Sequence, residues 1–401
     1  MTTATTRRLP LEGLKVLELG QLIAGPFATK LLGEFGADVI KIEPPGTGDP
    51  LRKWRMIEDG TSLWWHVQTR NKRSVSLDLR STEGQALVRQ LAGEADVLVE
   101  NFRPGTLEKW GLGWETLAAD NPGLIMVHIS GYGQTGPYRD KPGFGVIGEA
   151  MGGLRYLTGQ PGEPSVRVGV SIGDSLSALY AVIGTLLALQ ERQRSGLGQE
   201  IDVALYESVF AMMESLLPEF DASGEIRQPS GSALPGITPS NAYRCRDGDY
   251  VLIAGNGDSI FKRLMHEIER ADLAEDPLLA HNDGRTRQAQ RIDTAIEDWT
   301  RERARDEILG RLDAARVPAG FPYTAADIAN DPHYLAREMI QTFTRPNGKP
   351  LKVPGVLPRL SATPGRLGNG GPELGAHTDE VLDELGIDAE TRAKLRQAGI
   401  I

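Results

Sequence analysis

The sequence predicts an α/β fold with a mostly parallel, Rossmann-like sheet in a large domain, plus a smaller α/β domain. Short apolar strands alternate with helical segments through the first half of the chain. The first strand–helix–strand unit, from Leu14 to Glu43, spans about thirty residues, which is typical of a parallel crossover. Glycine-rich and polar loops follow the predicted strands, so a ligand is expected at the carboxyl edge of the sheet.

The elements of the large domain follow from apolar periodicity and from turn residues. Strands are predicted at 14–19, 39–43, 75–79, 96–100, 124–129 and 199–205. Helices are predicted at 27–35, 81–93 and 206–217, and a buried helix over the apolar run that ends at Leu189. The loops at 20–26, 44–55, 101–109 and 130–145 each follow a strand, so we expect them to converge on one crevice.

Composition shifts after Pro218 indicate the domain boundaries. The segment 221–240 is rich in Gly, Ser and Pro and is interpreted as a linker or mobile loop. The predicted division is residues 1–220 for the first part of the large domain, 225–330 for the small domain, and 331–401 for a C-terminal return to the large domain. Residues 1–10 are expected to be a disordered lead-in.

Charge and cysteine content exclude several classes of partner. The net charge of −10 argues against nucleic acid or an anionic membrane as the main partner. Cys245 is the one cysteine, so neither an intrachain disulfide nor a cysteine-based zinc site is expected. The first residues lack the apolar core of a signal peptide, and the apolar run Ala178–Leu189 is shorter than a membrane span. A cytoplasmic protein is therefore expected.

Asp174 opens the apolar run and is the candidate functional carboxylate. At a helix start an Asp can cap exposed backbone N–H groups, and this alternative stays open from position alone. The other alternative is a nucleophile that attacks an acyl group and forms a covalent intermediate. Backbone N–H groups at Gly131–Gly136 or Gly231–Gly236 are candidates for stabilising the negative charge that would develop.

Other catalytic signatures lack the sequence context that they require. None of the six histidines has metal-site spacing, and His128 is interpreted as a core residue of a strand. Neither a Gly-x-Ser-x-Gly elbow nor a dinucleotide-binding glycine pattern follows a predicted strand. Basic residues do recur near strand ends, which indicates a local pocket for phosphates or carboxylates: Lys41, Arg52, Lys53, Arg55, Lys72, Arg73, Arg80, Arg103, Lys109, Arg139 and Lys141.

Several motifs follow one another along the chain: Leu11–Leu19, Ala24–Pro26, Leu32–Glu43, Gly48–Arg52, Asn71–Ser74, Glu100–Gly105, Gly131–Pro137, Gly169–Asp174 and Leu374–Leu385. Together, and in this order, they resemble the class III CoA-transferases, the family of formyl-CoA transferase and carnitine CoA-transferase. The segments Leu107–Trp114 and Ala204–Phe210 look most like succinyl-CoA:malate or citramalate CoA-transferases. The resemblance runs over nearly the whole chain.

This resemblance implies a mechanism and an assembly. Asp174 matches the family's nucleophilic aspartate, which forms an anhydride and then an aspartyl-CoA thioester. CoA is then a substrate, and neither a metal nor a tightly bound cofactor is expected. The family's chains form open rings that interlace in pairs, so an interlaced homodimer is expected.

The resemblance also implies CoA contacts, position by position. The matched residues are Ile23, Ala24, Pro44, Leu77, Arg80, Asn101, Phe102, Arg103, Lys109, Pro142, Gly143, Phe144 and Gly145. Several differ from formyl-CoA transferase: Pro44 replaces an arginine, Arg80 a lysine, Lys109 an arginine, Pro142 a lysine and Gly145 a glutamate. The change at Gly145 removes a carboxylate near the acyl group and argues against a formyl or oxalate substrate.

Two alternatives accompany the transferase prediction. An α-methylacyl-CoA racemase needs a His-Asp pair where this chain has Phe144 and Gly145, neither of which moves a proton. A CoA-binding protein without turnover is the other. For a transferase, the expected donor is a dicarboxylyl-CoA such as succinyl-CoA, and the expected acceptor is a malate-, citramalate-, itaconate- or mesaconate-like acid. Arg52 and Arg73 are the predicted partners of a distal carboxylate.

Overall fold

The computed structural model describes residues 7–345 and 347–401, so most of the predicted lead-in at 1–10 lies outside the described residues. The chain divides into two compact units. The first contains the chain up to Arg155, Val168–Gly224 and Leu335–Ile401, and the second contains Tyr156–Arg167 and Glu225–Tyr334. The division into domains at 1–220, 225–330 and 331–401 stays a prediction.

The strands and helices have the following bounds. The strands are β1 (Lys15–Glu18), β2 (Asp38–Glu43), β3 (Ile57–Glu58), β4 (Thr61–Ser62), β5 (Lys72–Ser76), β6 (Val97–Glu100), β7 (Ile125–Ser130), β8 (Glu200–Ala204), β9 (Ser240–Arg244), β10 (Tyr250–Ala254), β11 (Ala319–Gly320), β12 (Ile340–Thr344) and β13 (Pro350–Pro354). The helices are α1 (Ala24–Glu34), α2 (Leu63–Gln68), α3 (Thr82–Glu94), α4 (Thr106–Lys109), α5 (Trp114–Asp120), α6 (Gly145–Met151), α7 (Leu154–Leu157), α8 (Ile172–Ser195), α9 (Leu205–Phe210), α10 (Leu216–Ser223), α11 (Asp258–Glu267), α12 (Ala271–Ala274), α13 (Asn282–Arg287), α14 (Ala289–Arg301), α15 (Arg305–Ala314), α16 (Ala325–Asn330), α17 (Pro332–Ala336), α18 (Thr378–Glu384) and α19 (Ala389–Gln397). Short 3₁₀ turns cover Pro50–Lys53 and Pro277–Leu279.

A six-stranded sheet in the order β5-β2-β1-β6-β7-β8 organises the first unit. Every adjacent pair in this sheet is parallel. The predicted α/β fold with a parallel sheet is confirmed. Because all six strands run the same way, the turns that leave their carboxyl ends gather at one edge.

Apolar side chains cover both faces of this sheet, as parallel sheets require. Val16, Val97 and Val99 face a core that includes residues of α1 and α8. Leu17 follows Val16 in β1, and Leu98 lies between Val97 and Val99 in β6. Both face the opposite core, together with residues of α3 and α5. Successive residues of one strand point to opposite faces, so near-continuous apolar runs such as Val97–Val99 are what a doubly covered strand needs.

Inside the sheet a buried ion cluster joins three strands. The carboxylate of Glu18 on β1 lies 2.8 Å from Lys41 Nζ of β2 and 2.7 Å from Lys72 Nζ of β5. Thr29 Oγ1 of α1 donates to the same carboxylate at 2.6 Å. Burial alone would raise the pKa of Glu18, but the two ammonium groups lower it to about 2. These buried charges are tolerated because each lies against a partner of opposite charge.

The C-terminal segment returns to the edge strand β5. His377 Nδ1 accepts a hydrogen bond from Ser74 N at 3.1 Å, and Thr378 Oγ1 accepts one from Ser76 N at 2.9 Å. Helix α18 then adds Val381 and Leu382 to the apolar core. An exposed strand edge presents unpaired N–H groups, and this return pairs those of Ser74 and Ser76.

The second unit has its own core. Strands β11, β10 and β9 form an antiparallel sheet, against which α11, α14 and α15 pack their apolar faces. The fully buried Arg285 donates to the carbonyl oxygens of Thr238, Leu279 and Asn256 and to Asp258. A single guanidinium, with five donors, therefore satisfies loop carbonyls that would otherwise be buried without a partner.

Several predicted boundaries were wrong. The strand predicted at 75–79 is β5, which lies three residues earlier. The helix predicted at 206–217 is broken into α9 and α10. The stretch 44–66, interpreted as loop, contains a 3₁₀ turn, the β3–β4 hairpin and the start of α2, and the loop-rich 346–375 contains β13. These elements are only two to six residues long, too short for apolar periodicity to detect.

Helix α8 differs from the buried helix that the sequence predicted. One face packs small residues, Ala178, Ala181 and Ala188, into the sheet core. The opposite face leaves Ile183 and Leu187 exposed. By length and composition alone this 24-residue helix could cross a membrane. Because its small residues pack against the sheet, we interpret it as a core-packed helix, which has the same composition.

We expect Glu18→Gln to destabilise the protein by about 3–5 kcal/mol, because it leaves two buried ammonium groups without their carboxylate. The matched control is Glu94→Gln, which removes an exposed ion pair to Lys15 and should cost less than about 1 kcal/mol. Urea denaturation monitored by circular dichroism measures both changes. Equal effects of the two substitutions would contradict this account of the ion cluster.

The same cluster predicts a pH dependence of stability. Since the folded pKa of Glu18 lies at about 2, below its usual value of 4.5, its contribution is fully present above pH 4.5. It is lost as the pH falls from about 4.5 towards 2, and amounts to about 3 kcal/mol. The Glu18→Gln protein should therefore lose less of its free energy of unfolding between pH 5 and pH 3 than the wild type, which paired urea titrations measure.

Candidate active site

A cavity of about 280 Å³ opens at the carboxyl edge of the sheet, and Asp174 lies in its wall. Turns after β1, β6 and β7 supply most of the other lining residues: Gln21, Leu22, Ile23, Ala24, Asn101, Phe102, Arg103, Pro104, Ile129, Ser130, Gly131, Arg139, Lys141, Gly143, Phe144, Gly145 and Leu205. Of the four loops predicted to converge on one crevice, those at 20–26, 101–109 and 130–145 line this cavity, whereas the loop at 44–55 lines a neighbouring one. The cavity therefore has the position in which α/β sheets bind ligands.

Asp174 is the third residue of α8, and Ser171 is the N-cap. The alternative in which Asp174 is only an N-cap is therefore wrong. A carboxylate in the first turn of a helix lies near the positive end of the helix dipole, which favours its ionised form. Since α8 is anchored on the sheet through Ala178 and Ala181, the carboxylate is held on a rigid element.

The Asp174 carboxylate lies directly against the backbone of Gly145. A Cβ added at Gly145 would lie 2.1 Å from Asp174 Oδ2 and 2.9 Å from its Cγ. Gly145 is the buried first residue of α6, and the exposed Phe144 precedes it as N-cap. No side chain fits at position 145 while Asp174 keeps this position. A glutamate at position 145 is thus incompatible with this arrangement.

A buried carboxylate holds the turn after β1. Leu22 has the left-handed φ of 64°, which costs a branched residue energy. Both oxygens of Asp49 accept from Leu22 N at 3.1 Å, and Asp49 Oδ2 lies 2.9 Å from Lys41 Nζ. Burial opposes the charge of Lys41, but Asp49 and Glu18 raise its pKa above its usual value. The ion cluster in the sheet thus extends to the cavity wall.

Asn101 joins two turns of the cavity. Its Oδ1 accepts from Gln21 N at 2.8 Å, and its Nδ2 donates to Gln21 O at 2.8 Å. The side chain passes so close to Gly20 that an added Cβ there would lie 3.2 Å from Oδ1. Asn101 therefore lines the cavity while its amide fixes the distance between the turns after β1 and β6.

A buried pair supports the turn after β6 from below. Glu100 Oε1 lies 2.5 Å from His128 Nδ1 on the adjacent strand, and Glu100 Oε2 accepts from Phe102 N at 2.6 Å. Burial raises the pKa of Glu100. Burial would lower the pKa of His128, but the contact with Glu100 raises it. His128 is a core residue, as predicted, and it also orients the carboxylate that holds Phe102 in the cavity wall.

A second cavity, of about 400 Å³, follows β2 and β5 and shares Gln21 and Phe102 with the first. Its lining includes the predicted residues Pro44, Leu77 and Arg80. The Arg80 guanidinium is exposed and forms a two-point contact with Asp78 at 2.9 and 3.1 Å. The two cavities are thus neighbours along the carboxyl edge.

The thirteen predicted CoA contacts divide into three groups. Those around Asp174 are Ile23, Ala24, Asn101, Phe102, Arg103, Gly143, Phe144 and Gly145. Those in the second cavity are Pro44, Leu77 and Arg80, with Phe102 shared. Lys109 and Pro142 are exposed and are not among the lining residues of either cavity. The sequence analysis selected loops that line these cavities, but it did not single out Gln21, Leu22, Ser130 or Leu205.

The predicted distal-carboxylate arginines were wrong. Arg52 is buried and binds Glu43 through two contacts, at 2.7 and 2.8 Å. Arg73 pairs with Asp38, Glu380 and Glu384 at the other end of β5. Lys41 and Lys72 are likewise committed to buried carboxylates. These cations stabilise the fold and do not form the predicted anion pocket.

The remaining candidates are placed as follows. Gly131 lines the cavity with Asp174, whereas Gly231–Gly236 belongs to the second unit. Among residues 7–345 and 347–401, no cluster of three or more His, Cys, Asp or Glu side chains could hold a metal ion.

The family model of CoA-transferase family III matches residues 11–378. The succinyl-CoA–D-citramalate CoA-transferase of Chloroflexus aurantiacus is 50% identical over 394 residues, with 98% of both chains covered. The α subunit of the succinyl-CoA–L-malate CoA-transferase of Chloroflexus aurantiacus is 44% identical over 400 residues, which cover 98% of this chain and 93% of that subunit. The crystal structure of a CAIB/BAIF family protein from Brucella suis superposes with a TM-score of 0.82 at 36% identity and covers 94% of this chain and 100% of that one.

The chain belongs to CoA-transferase family III. It is thus an enzyme that transfers CoA between carboxylic acids, with CoA as a substrate.

We expect Gly145→Ala to lower the rate of CoA transfer on the order of 100-fold, because the new methyl group displaces the Asp174 carboxylate. The matched control is Gly169→Ala, in the segment that leads to α8, where an added Cβ meets nothing within 4 Å. Steady-state assays of both variants, with circular dichroism to check folding, measure the difference. A Gly145→Ala protein with the wild-type rate would contradict the steric role of Gly145.

Proposed function

We propose that this CoA-transferase moves CoA from a dicarboxylyl-CoA such as succinyl-CoA to a malate- or citramalate-like acid, through an aspartyl-CoA thioester on Asp174. The observation that carries the proposal is the position of the Asp174 carboxylate, in a cavity at the carboxyl edge of the sheet and against a bare glycine backbone. The names of the Chloroflexus relatives support the choice of acids.

The chemistry begins with attack of an Asp174 oxygen on the thioester carbonyl. The C–S bond breaks, which gives an acyl-aspartyl anhydride and the CoA thiolate. The thiolate then attacks the aspartyl carbonyl, so that the donor acid leaves as a carboxylate and CoA is bound to Asp174. The acceptor carboxylate reverses the two steps, and Asp174 is regenerated. Each step exchanges one leaving group for another, so neither a resident cofactor nor a metal is required.

The two neighbouring cavities support a placement for CoA. The thioester end belongs beside Gly143, Phe144 and Gly145, next to Asp174. The pantetheine chain passes the turn at Asn101–Arg103, and the nucleotide end belongs in the second cavity, against Pro44, Leu77 and Arg80. Phe102 lies in both cavities and marks the passage between them. Lys109 and Pro142 lie outside the linings of the two cavities and are proposed as further contacts to CoA.

We expect Asp174→Asn to reduce CoA transfer by about 10⁴-fold or more, because an amide of the same shape cannot act as the nucleophile. Transfer of CoA from succinyl-CoA to a panel of diacids, followed by chromatography of the CoA esters, measures the rate. Asp120→Asn, which alters an exposed carboxylate paired with Arg89, should keep the wild-type rate. Full activity of Asp174→Asn would refute the aspartyl mechanism, and exchange of an α-proton without an acceptor acid would favour a racemase.

The exposed face of α8 supports the proposed interlaced homodimer. Leu179, Ile183, Leu186 and Leu187 recur at helical spacing, and Leu187 is 66% exposed. An apolar helix face of this extent is typical of a surface that a protein partner covers. A second copy of this chain is the partner proposed here, in the cytoplasm.

Light scattering coupled to size-exclusion chromatography is expected to give twice the 43.5 kDa chain mass for the wild-type protein. Introducing Ile183→Glu and Leu187→Glu together should abolish this species, because two carboxylates would be buried in an apolar contact. Gln193→Glu, on an exposed polar position of the same helix, should leave the dimer intact. A wild-type protein with the mass of one chain would contradict the proposed assembly.

A further inference from the structure

The cavity around Asp174 carries more positive charge than transfer of the acyl group requires. Its lining contains three cations, Arg103, Arg139 and Lys141, and one carboxylate, Asp174 itself. The chain as a whole has a net charge of −10, so the excess of positive charge in this cavity is opposite in sign to the charge of the whole chain. The thioester and the neighbouring pantetheine of an acyl-CoA are neutral. The cations therefore fit a second negative group near the reacting carbonyl.

In the part of the chain that the structure describes, Arg139 and Lys141 are not paired with buried carboxylates, unlike Lys41, Arg52 and Lys72. Among the described residues, the Arg139 guanidinium forms its one ion pair with its exposed neighbour Asp140, at 3.6 Å, a contact that contributes little in water. The Lys141 ammonium lies over the ring of Tyr138, 3.4 Å from its centre, which orients the cation while leaving its charge in place. Arg52, by comparison, is neutralised by Glu43 through two short contacts.

The loop that carries these cations is closed at its base. Gly131 and Gly143 approach so closely that a Cβ added at Gly131 would lie 2.9 Å from the Cα of Gly143. Ser130 Oγ accepts from Gly133 N at 2.9 Å, and an Asp202 oxygen accepts from Gln134 N at 2.8 Å.

Aromatic contacts then organise the outer part of the loop. Tyr132 makes ring contacts with Tyr138 on one side and with Tyr206 of α9 on the other. Lys141 N donates to Tyr138 O at 2.9 Å, which closes a turn around Arg139 and Asp140. Two cations are thus presented at the cavity wall by a loop that starts at Gly131 and ends at Gly145, which lies against Asp174.

We propose that Arg139 and Lys141 bind the non-reacting carboxylate of a dicarboxylic substrate and thereby determine the preference for diacids over monoacids. This inference rests on the proposed function, because it requires acyl transfer at Asp174. The reacting carboxylate loses its charge when it becomes an anhydride or a thioester. The distal carboxylate keeps its charge through every step, so fixed cations serve both the donor and the acceptor. A guanidinium can bind that carboxylate through two parallel hydrogen bonds.

A phosphate of CoA would satisfy the same cations, and the experiment must separate the two anions. Succinyl-CoA and butyryl-CoA suit this purpose, because their acyl chains have the same number of carbon atoms and differ in a terminal carboxylate against a methyl group. Their CoA moieties are identical. The readout is the single-turnover rate at which each ester converts Asp174 to its CoA thioester, so that no acceptor acid is needed. Isothermal titration with free CoA reports the phosphate contribution separately.

We expect Arg139→Ala to lower kcat/KM of the half-reaction about 10- to 100-fold for succinyl-CoA and less than threefold for butyryl-CoA, as loss of a hydrogen bond to a charged group predicts. Lys141→Ala should act in the same direction, and Arg139→Lys should recover part of the loss. Arg89→Ala, which removes an exposed arginine of α3, is the control that changes neither rate. The affinity for free CoA should be unchanged in every variant.

Three results would overturn the inference. Equal losses with both esters, together with weaker binding of free CoA, would assign the cations to the CoA phosphates. Unchanged rates with both esters would show that Arg139 and Lys141 do not contact the substrate. In both of these cases the aspartyl mechanism would stand. If the wild-type protein formed an Asp174 thioester with neither ester, the proposed function itself would fail, and the inference with it.

Discussion

The carboxylate of Glu18, buried between two ammonium groups, is the interaction on which the arrangement of the site depends. Its ion pairs join β1, β2 and β5 inside the sheet. Lys41 also forms an ion pair with Asp49. Asp49 in turn holds Leu22 in a left-handed conformation at the cavity wall. Buried charges add little net stability compared with apolar packing, but each must keep its partner. The cluster therefore specifies one geometry for the turn.

Much of the fold could be predicted from the sequence because the central strands are buried on both faces. Runs such as Val97–Val99 carry a strong apolar signal, and glycine-rich turns mark their ends. The return of the C-terminal segment to β5 could not be derived from periodicity, since His377 and Thr378 are polar residues whose partners lie three hundred positions earlier. Long-range polar pairing leaves no local pattern.

The candidate site was predictable in its loops but only partly in its side chains. Asp174 is recognisable in the sequence as a carboxylate at the head of an apolar run, and the family resemblance points to turns that line the two cavities. Arg52 and Arg73 were chosen as anion partners because they are basic and follow or lie within strands. Which cations remain available depends on where carboxylates such as Glu43 and Asp38 lie in space. That distinction, and the contact between Gly145 and Asp174, exist only in three dimensions.

Asp174 is the carboxylate in the cavity lining and lies against the Gly145 backbone, and the central claim is that it accepts the acyl group. The most direct measurement is mass spectrometry of the protein after rapid mixing with succinyl-CoA and acid quenching. A peptide containing Asp174 is predicted to gain the mass of CoA less one water, and to lose that gain when an acceptor acid is added before the quench. Turnover without any CoA- or acyl-modified Asp174 peptide would contradict the account.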